Sequence, residues 1–319
     1  MTRRDFLRNA AAAASAASIL PLVSCGRADN EVSDFGGVRI GAISYSYRSI
    51  PASAEEILGY LRQAGMNTVE LMGDPAEAFA GGPKVPSWRR VGTKMTDAER
   101  AEFNAAREAY NEAATIWRLS APIEKFEELG KMYKDAGVEI DILKLGDPKW
   151  PDAQIDYAFR AARAVGARGI SFEISDEAAK RMAPFADKHQ MYVGMHNHTQ
   201  VGKEGFSFDT PLSFSPHNML NLDIGHYVAG TGESPIPIIQ KYHDRITHLH
   251  LKDRKTPANG GDNVPWGQGD TPIKEVLQLL KREKYPISAM IELEYPIPDG
   301  SDVLSEIAKC VEYCREALA

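Results

Sequence analysis

The feature that most constrains this chain is a repeat of apolar, β-rich runs, each followed by a helical pattern. The runs are Val38–Tyr45 (VRIGAISY), Thr68–Met72, Val138–Leu145 (VEIDILKL), Gly169–Ile174 (GISFEI), Met191–His196 (MYVGMH), Met219–Ile224 (MLNLDI), Ile246–Leu251 (ITHLHL) and Ile287–Leu293 (ISAMIEL). Strands alternating with helices argue for βα units around a parallel sheet. Ala64-Gly65, Ala136-Gly137 and Val165-Gly166 each put a glycine between a helix and the next strand, where a left-handed cap ends the helix. Eight such units predict an α/β fold closed as a (β/α)8 TIM barrel. An open, doubly wound sheet is the alternative, but no glycine-rich phosphate loop follows the first strand.

One segment interrupts the repeat. Residues 74–120 form an insertion after strand 2 that begins with Gly81-Gly82-Pro83 and turns helical from Asp97 to about Trp117. A segment leaving the C-terminal end of a barrel strand lies on the catalytic face. It is expected to act as a partial lid or substrate wall, with Trp88 and Arg89 touching substrate. Packing on the barrel's flank or against a second subunit is the alternative, and a homo-oligomer stays open.

The first residues read as an address. Thr2-Arg3-Arg4-Asp5-Phe6-Leu7-Arg8 resembles a twin-arginine export signal, and Leu22-Val23-Ser24-Cys25-Gly26 resembles a lipoprotein cleavage box. The Ala-rich stretch between them is too short to span a bilayer comfortably. Residues 1–24 are thus expected to be a signal peptide and residues 25–37 a tether. Residues 38–319 would be the barrel, periplasmic and held to the membrane by a lipid on Cys25. The chain has 319 residues and a net charge of −7. Its basic residues do not cluster beyond the N-terminus, which argues against a nucleic-acid partner and for a small-molecule substrate. Cys310 and Cys314 lie one helical turn apart and are read as buried or spectator residues, since a disulfide within one turn is awkward.

Ionisable residues gather at the C-terminal ends of the later strands. Strand 4 ends in Glu173, and strand 5 in His196-Asn197-His198. Strand 6 ends in Asp223, with His226 just beyond. Strand 7 carries His248 and His250, then Lys252, Asp253 and Arg254, and strand 8 ends in Glu292 and Glu294. Side chains alternate along a strand, so His196 and His198 share a face, as do His248, His250 and Lys252. Neighbouring strands lie about 5 Å apart. Inward groups from successive strands can therefore surround one ion, and charges inside a barrel need partners or a metal. Carboxylate and imidazole together suit Mn2+, Co2+, Zn2+ or Mg2+ better than a soft metal.

Four motifs then carry a resemblance. Asn221-Leu222-Asp223-Ile224-Gly225-His226, His248-Leu249-His250-Leu251-Lys252-Asp253, Pro265-Trp266-Gly267-Gln268-Gly269-Asp270 and Ile291-Glu292-Leu293-Glu294 occur in order and at barrel spacing. They resemble the xylose isomerase-like barrels, which include sugar isomerases and epimerases, inosose dehydratase and endonuclease IV. The resemblance covers nearly all of the chain after the tether. It implies one divalent metal ion, manganese first, with Asp223, His250 and Glu292 as ligands. It implies that His226 contacts substrate or orients Asp223, with Arg254 and Trp266 as further substrate contacts. The fourth ligand in the family is usually a Glu at the end of strand 5, where this chain has His196. Either His196 coordinates, or Glu173 reaches across and frees His196 for acid–base work; Glu173 is the expected ligand.

The chemistry implied is removal of a proton next to a sugar carbonyl. His196 or His198 would be the base, Glu294 or Glu173 a second acid–base group, and Lys252 an oxyanion stabiliser. A salt bridge at the barrel rim is the plainer role for Lys252 and Asp253. Sugar phosphates are mostly cytoplasmic, so export points to an unphosphorylated sugar or keto-sugar. Isomerisation or epimerisation is expected, with β-elimination from a 3-keto-glycoside, beside a sugar oxidoreductase that makes the keto group, as the alternative. A sugar-binding lipoprotein without catalysis is the reading from another class.

Overall fold

The computed structural model describes residues 35–86 and 95–319. The export signal, Cys25, Trp88 and Arg89 lie outside the described residues. Eight parallel strands close into a barrel in sequence order: β1 Ile40–Ile43, β2 Thr68–Met72, β3 Glu139–Lys144, β4 Gly169–Glu173, β5 Tyr192–His196, β6 Asn218–Asp223, β7 Ile246–Leu251 and β8 Ser288–Ile291. Each falls within a predicted run or runs one residue past its start, and the expected (β/α)8 barrel is the fold observed.

β1 and β8 are shorter than the sequence predicts, and serines explain it. Ser46 Oγ donates to Ile291 O and accepts from Leu293 N, each at 3.0 Å, while Ser44 Oγ accepts from Met72 N at 2.9 Å. These side chains satisfy the backbone groups that a ladder would otherwise pair. Residues Ser44–Tyr47 can therefore coil into a 3-10 turn.

The outer helices are set by local signals. The helix Ala54–Gln63 starts with a capping box between Ser53 and Glu56 and buries Ile57, Leu58 and Leu61 against the barrel. The last helix, Val303–Leu318, is capped by Asp302 and buries both Cys310 and Cys314 as free thiols. No helix of the described residues is long and apolar enough to cross a membrane.

The described part of the insertion docks on the barrel's flank. Its helix, Asp97–Arg118, buries Tyr110, Ala114 and Arg118, while most of its first half is exposed. Arg118 forks onto Glu77 with contacts of 2.7 and 2.8 Å, and Tyr157 donates to the same carboxylate at 3.1 Å. Glu77 lies in a short helix, Gly73–Phe79, that the sequence did not lead us to expect. The Arg118 guanidinium stacks 4.0 Å over Trp150, so its charge is paired on one side and covered by an aromatic face on another.

Candidate metal centre and active site

The C-terminal strand ends bring four buried side chains together. His196 ends β5, Asp223 ends β6, His250 lies near the end of β7, and Glu292 directly follows β8. They are 3%, 0%, 0% and 5% exposed. One donor atom from each lies within 4.8 Å of the other three. His250 Nδ1 is 2.9 Å from Glu292 Oε2, and His196 Nε2 is 3.4 Å from Asp223 Oδ2. Ligand atoms about 2.1 Å from one ion stand roughly 3 to 3.5 Å apart, so the spacing fits a shared ion. His250 Nδ1 and Glu292 Oε2 are also buried without an aligned hydrogen bond, although they are so close. Buried polar atoms are seldom left in that state. Both face the cluster, Glu292 Oε2 being also ion-paired with the Lys252 ammonium at 2.8 Å, and a set of two carboxylates and two imidazoles suits a borderline divalent cation.

Asp223 is held by its neighbours. Its Oδ1 accepts the His226 N–H at 2.6 Å, capping the helix Ile224–Thr231, which leaves Oδ2 facing the cluster. Asn197 ties β5 to β6 by accepting from Asp223 N at 3.0 Å and donating to Asp223 O at 3.1 Å.

The structure brings His196, not Glu173, to the other three. Glu173 Oε2 lies 3.0 Å from His196 Nδ1 and 2.7 Å from His198 Nε2, and its Oε1 accepts from Lys144 at 3.1 Å. The hydrogen bond that His198 donates to Glu173 raises the pKa of His198, which is half exposed at the mouth.

A second rank stands behind the cluster. Lys252, almost fully buried, sets its ammonium 2.9 Å from Asp223 Oδ2, 2.8 Å from Glu292 Oε2 and 2.6 Å from Glu294 Oε2. Gly225 makes room for it, since a Cβ there would lie 2.3 Å from Lys252 Cγ. Burial favours the neutral lysine, but the carboxylates outweigh it and hold the ammonium charged. His226 touches His198 and Lys252 at 3.2 Å each and Arg254 at 2.5 Å. Burial first, then the Lys252 charge, outweighs the pull of Asp223 and pushes His226 down to about 3, so its ring is neutral.

Trp266 is placed differently from the other substrate candidates. It packs edge-on against Tyr313 of the last helix, with ring centroids 5.6 Å apart. Asp253 does not form a rim salt bridge with Lys252; it accepts from the backbone N–H groups of Gly267, Gly269 and Thr271 and so shapes the Trp266 loop.

The sequence reading missed Glu70 and Lys144. Glu70, in the middle of β2, is fully buried among His248, His250, Ser171 and Asn221. Its signal was present: a lone carboxylate inside an apolar strand requires a buried partner. The Glu70 carboxyl is held well below the usual range, because His250 and His248 together outweigh the cost of burial. Burial also opposes a charge on His250, but Glu292 and Glu70 raise it to about 10.

Comparison with known proteins fits this picture. A family described as "Xylose isomerase-like TIM barrel" matches residues 58–314. The chain belongs to that family. An inosose dehydratase of Clostridium botulinum is 30% identical over 150 residues, which is 41% of this chain and 49% of that protein. The chain thus matches about half the length of this curated relative. Two solved structures share the fold. A sugar phosphate isomerase/epimerase of Parabacteroides distasonis has a TM-score of 0.56 at 17% identity, covering 87% of this chain and 93% of that one. A 3-keto-D-glucoside 4-epimerase of E. coli has a TM-score of 0.55 at 13% identity, covering 88% and 99%.

Proposed function

We propose that this chain is a divalent-metal-dependent enzyme that removes a proton next to the carbonyl of an unphosphorylated sugar or keto-sugar. The observation that carries the reading is the meeting of His196, Asp223, His250 and Glu292 at one end of the barrel, two of their donor atoms lacking aligned hydrogen bonds. A bound divalent ion would serve as a Lewis acid for the carbonyl and the adjacent hydroxyl. Manganese is the first candidate, with cobalt, zinc and magnesium as alternatives. His196 takes the fourth ligand position, which leaves His198 as the base. His198 is half exposed, and Glu173 at 2.7 Å stabilises the imidazolium it becomes. Lys252 supplies a fixed positive charge beside the reacting oxygens. Glu294, 2.6 Å from Lys252, is the second acid–base group. His226 and Arg254 form the polar wall that meets sugar hydroxyls.

Export through the twin-arginine route and a lipid on Cys25 belong to the same proposal and rest on the N-terminal motifs. An envelope location supports an unphosphorylated substrate and a partner oxidoreductase that supplies the keto group. The dehydratase likeness favours a second reading, β-elimination of a 3-keto-glycoside. In both readings the same base takes a proton acidified by a neighbouring carbonyl.

The test is incubation of metal-loaded protein with 3-keto-glucosides and with free ketoses in D2O. Released aglycone selects elimination, and carbon-bound deuterium in an isomerised sugar selects isomerisation or epimerisation. Sugar binding without metal-dependent turnover of either substrate class contradicts the proposal and leaves a binding lipoprotein.

A further inference from the structure

Two carboxylates outside the four-residue cluster each engage the far nitrogen of one of its histidines. Glu70 Oε2 lies 2.5 Å from His250 Nε2, at the opposite side of the ring from the Nδ1 that faces Glu292. Glu173 Oε2 lies 3.0 Å from His196 Nδ1, opposite the Nε2 that faces Asp223. The two rings are therefore engaged in reverse order.

Glu70 is itself immobilised. Its Oε1 accepts from Ser171 Oγ and lies 3.5 Å from Asn221 Nδ2, while its Oε2 is also 3.2 Å from His248 Nε2. Glu70, His248 and His250 do not make a convincing second ion site. Two ligands of one ion stand about 3 Å apart, and the 2.5 Å contact between Glu70 and His250 is a hydrogen bond instead. Asn221 Nδ2 also approaches His250 Nε2, at 3.2 Å, but the anionic acceptor is nearer and decides where the proton sits.

A neutral imidazole carries one N–H, and the partner of one nitrogen decides which nitrogen is left free as a donor to a metal. We infer that Glu70 and Glu173 are positioning residues that fix opposite tautomers, with His250 protonated on Nε2 and offering Nδ1, and His196 protonated on Nδ1 and offering Nε2. The inference rests on the metal reading above for what those free nitrogens do. It gives Glu70, remote from the mouth of the barrel, a defined part in the site. It also gives Glu173 a role outside the ligand set: one oxygen atom serves both His196 and the base His198.

The test uses the full chain with 15N-labelled histidine, loaded with diamagnetic Zn2+ so that the ion takes the place of the second ring proton, and read through long-range ring-nitrogen correlations. The native protein is expected to show His250 protonated on Nε2 and His196 on Nδ1. Glu70→Gln, which keeps the shape of the buried side chain, should release or reverse the His250 pattern and leave His196 alone. Glu173→Gln, at a half-exposed position, should do the converse. Each should weaken Mn2+ binding by about 10- to 100-fold in competition with a fluorescent chelator. If Glu70→Gln does not fold, the native spectrum and Glu173→Gln still decide. Nδ1-protonated His250 or Nε2-protonated His196 in the native protein overturns the inference. So do unchanged ring patterns and Mn2+ affinities in the glutamine variants. His250→Ala separates the two levels. If it loses Mn2+ while both glutamine variants keep native affinity, positioning alone fails. If it binds Mn2+ as tightly as the native chain, the metal reading fails, and the inference with it.

Discussion

Asp223 does two jobs because its oxygens are separated by role: Oδ1 caps a helix through His226 N, and Oδ2 faces the ligand cluster. Asp223→Asn retains an oxygen for the cap and removes the charge. Its far-ultraviolet circular dichroism should stay native while Mn2+ affinity falls roughly tenfold or more; unchanged affinity would remove Asp223 from the ligand set. Lys252 answers to three carboxylates at 2.6–2.9 Å. Lys252→Met leaves them without their cation, a change that typically costs about 3–5 kcal/mol at buried pairs. The metal-free variant should melt below the native protein, and added Mn2+ should raise its Tm by more than it raises the native value. Equal shifts would show that Lys252 does not balance the cluster's charge. Much of this was legible from strand alternation, which placed His250 and Lys252 on one face of their strand. The choice between His196 and Glu173 was not legible. The two residues are register partners on adjacent strands, and only the positions of Lys144 and His198 show what claims the Glu173 carboxylate.

At the scale of elements, the insertion helix is held by a buried ion pair rather than by a broad apolar face. The Arg118 and Glu77 side chains are 8% and 3% exposed. Glu77→Gln should cost about 3–5 kcal/mol, with faster amide exchange along Asp97–Arg118 than along β5. Exchange that rises equally in both would mean that the helix is not separately pinned. A second charged cluster ties together the N-terminal ends of the strands: Asp141 on β3 lies 2.7 Å from Arg168 and 3.2 Å from Arg39. Burial would raise the Asp141 pKa, but Arg168 and then Arg39 hold it below the ordinary value. A lowered native pKa means that the unfolded chain binds the proton more tightly. The stabilisation is therefore full above about pH 4 and is lost as pH falls through the lowered native value. Asp141→Asn should lose stability at pH 7 and show a shallower decline toward acid in urea titrations; a parallel acid limb would contradict this. The sequence located the insertion helix to within a residue at its C-terminal end, because its 3.6-residue pattern is local. It gave no sign of the Glu77 clamp, which depends on a contact between residues 41 positions apart.

For the whole molecule, the fold was readable because eight strand-and-helix units leave little choice but closure. Closure then does the functional work, since it brings side chains from β5, β6, β7 and the end of β8 to one place without a loop having to carry them. Trp266 shows the boundary of such reasoning. Its loop is shaped by Asp253 and turns the indole toward Tyr313 of the last helix, a direction no strand pattern fixes. The central claim is that His196, Asp223, His250 and Glu292 hold one divalent ion. Its most direct test is the bound-metal ratio of stripped protein reloaded with Mn2+ and passed through a desalting column. The account predicts one ion per native chain and loss of that ion in His196→Ala, Asp223→Asn, His250→Ala and Glu292→Gln. A native chain that retains none, or variants that each retain a full equivalent, would contradict it.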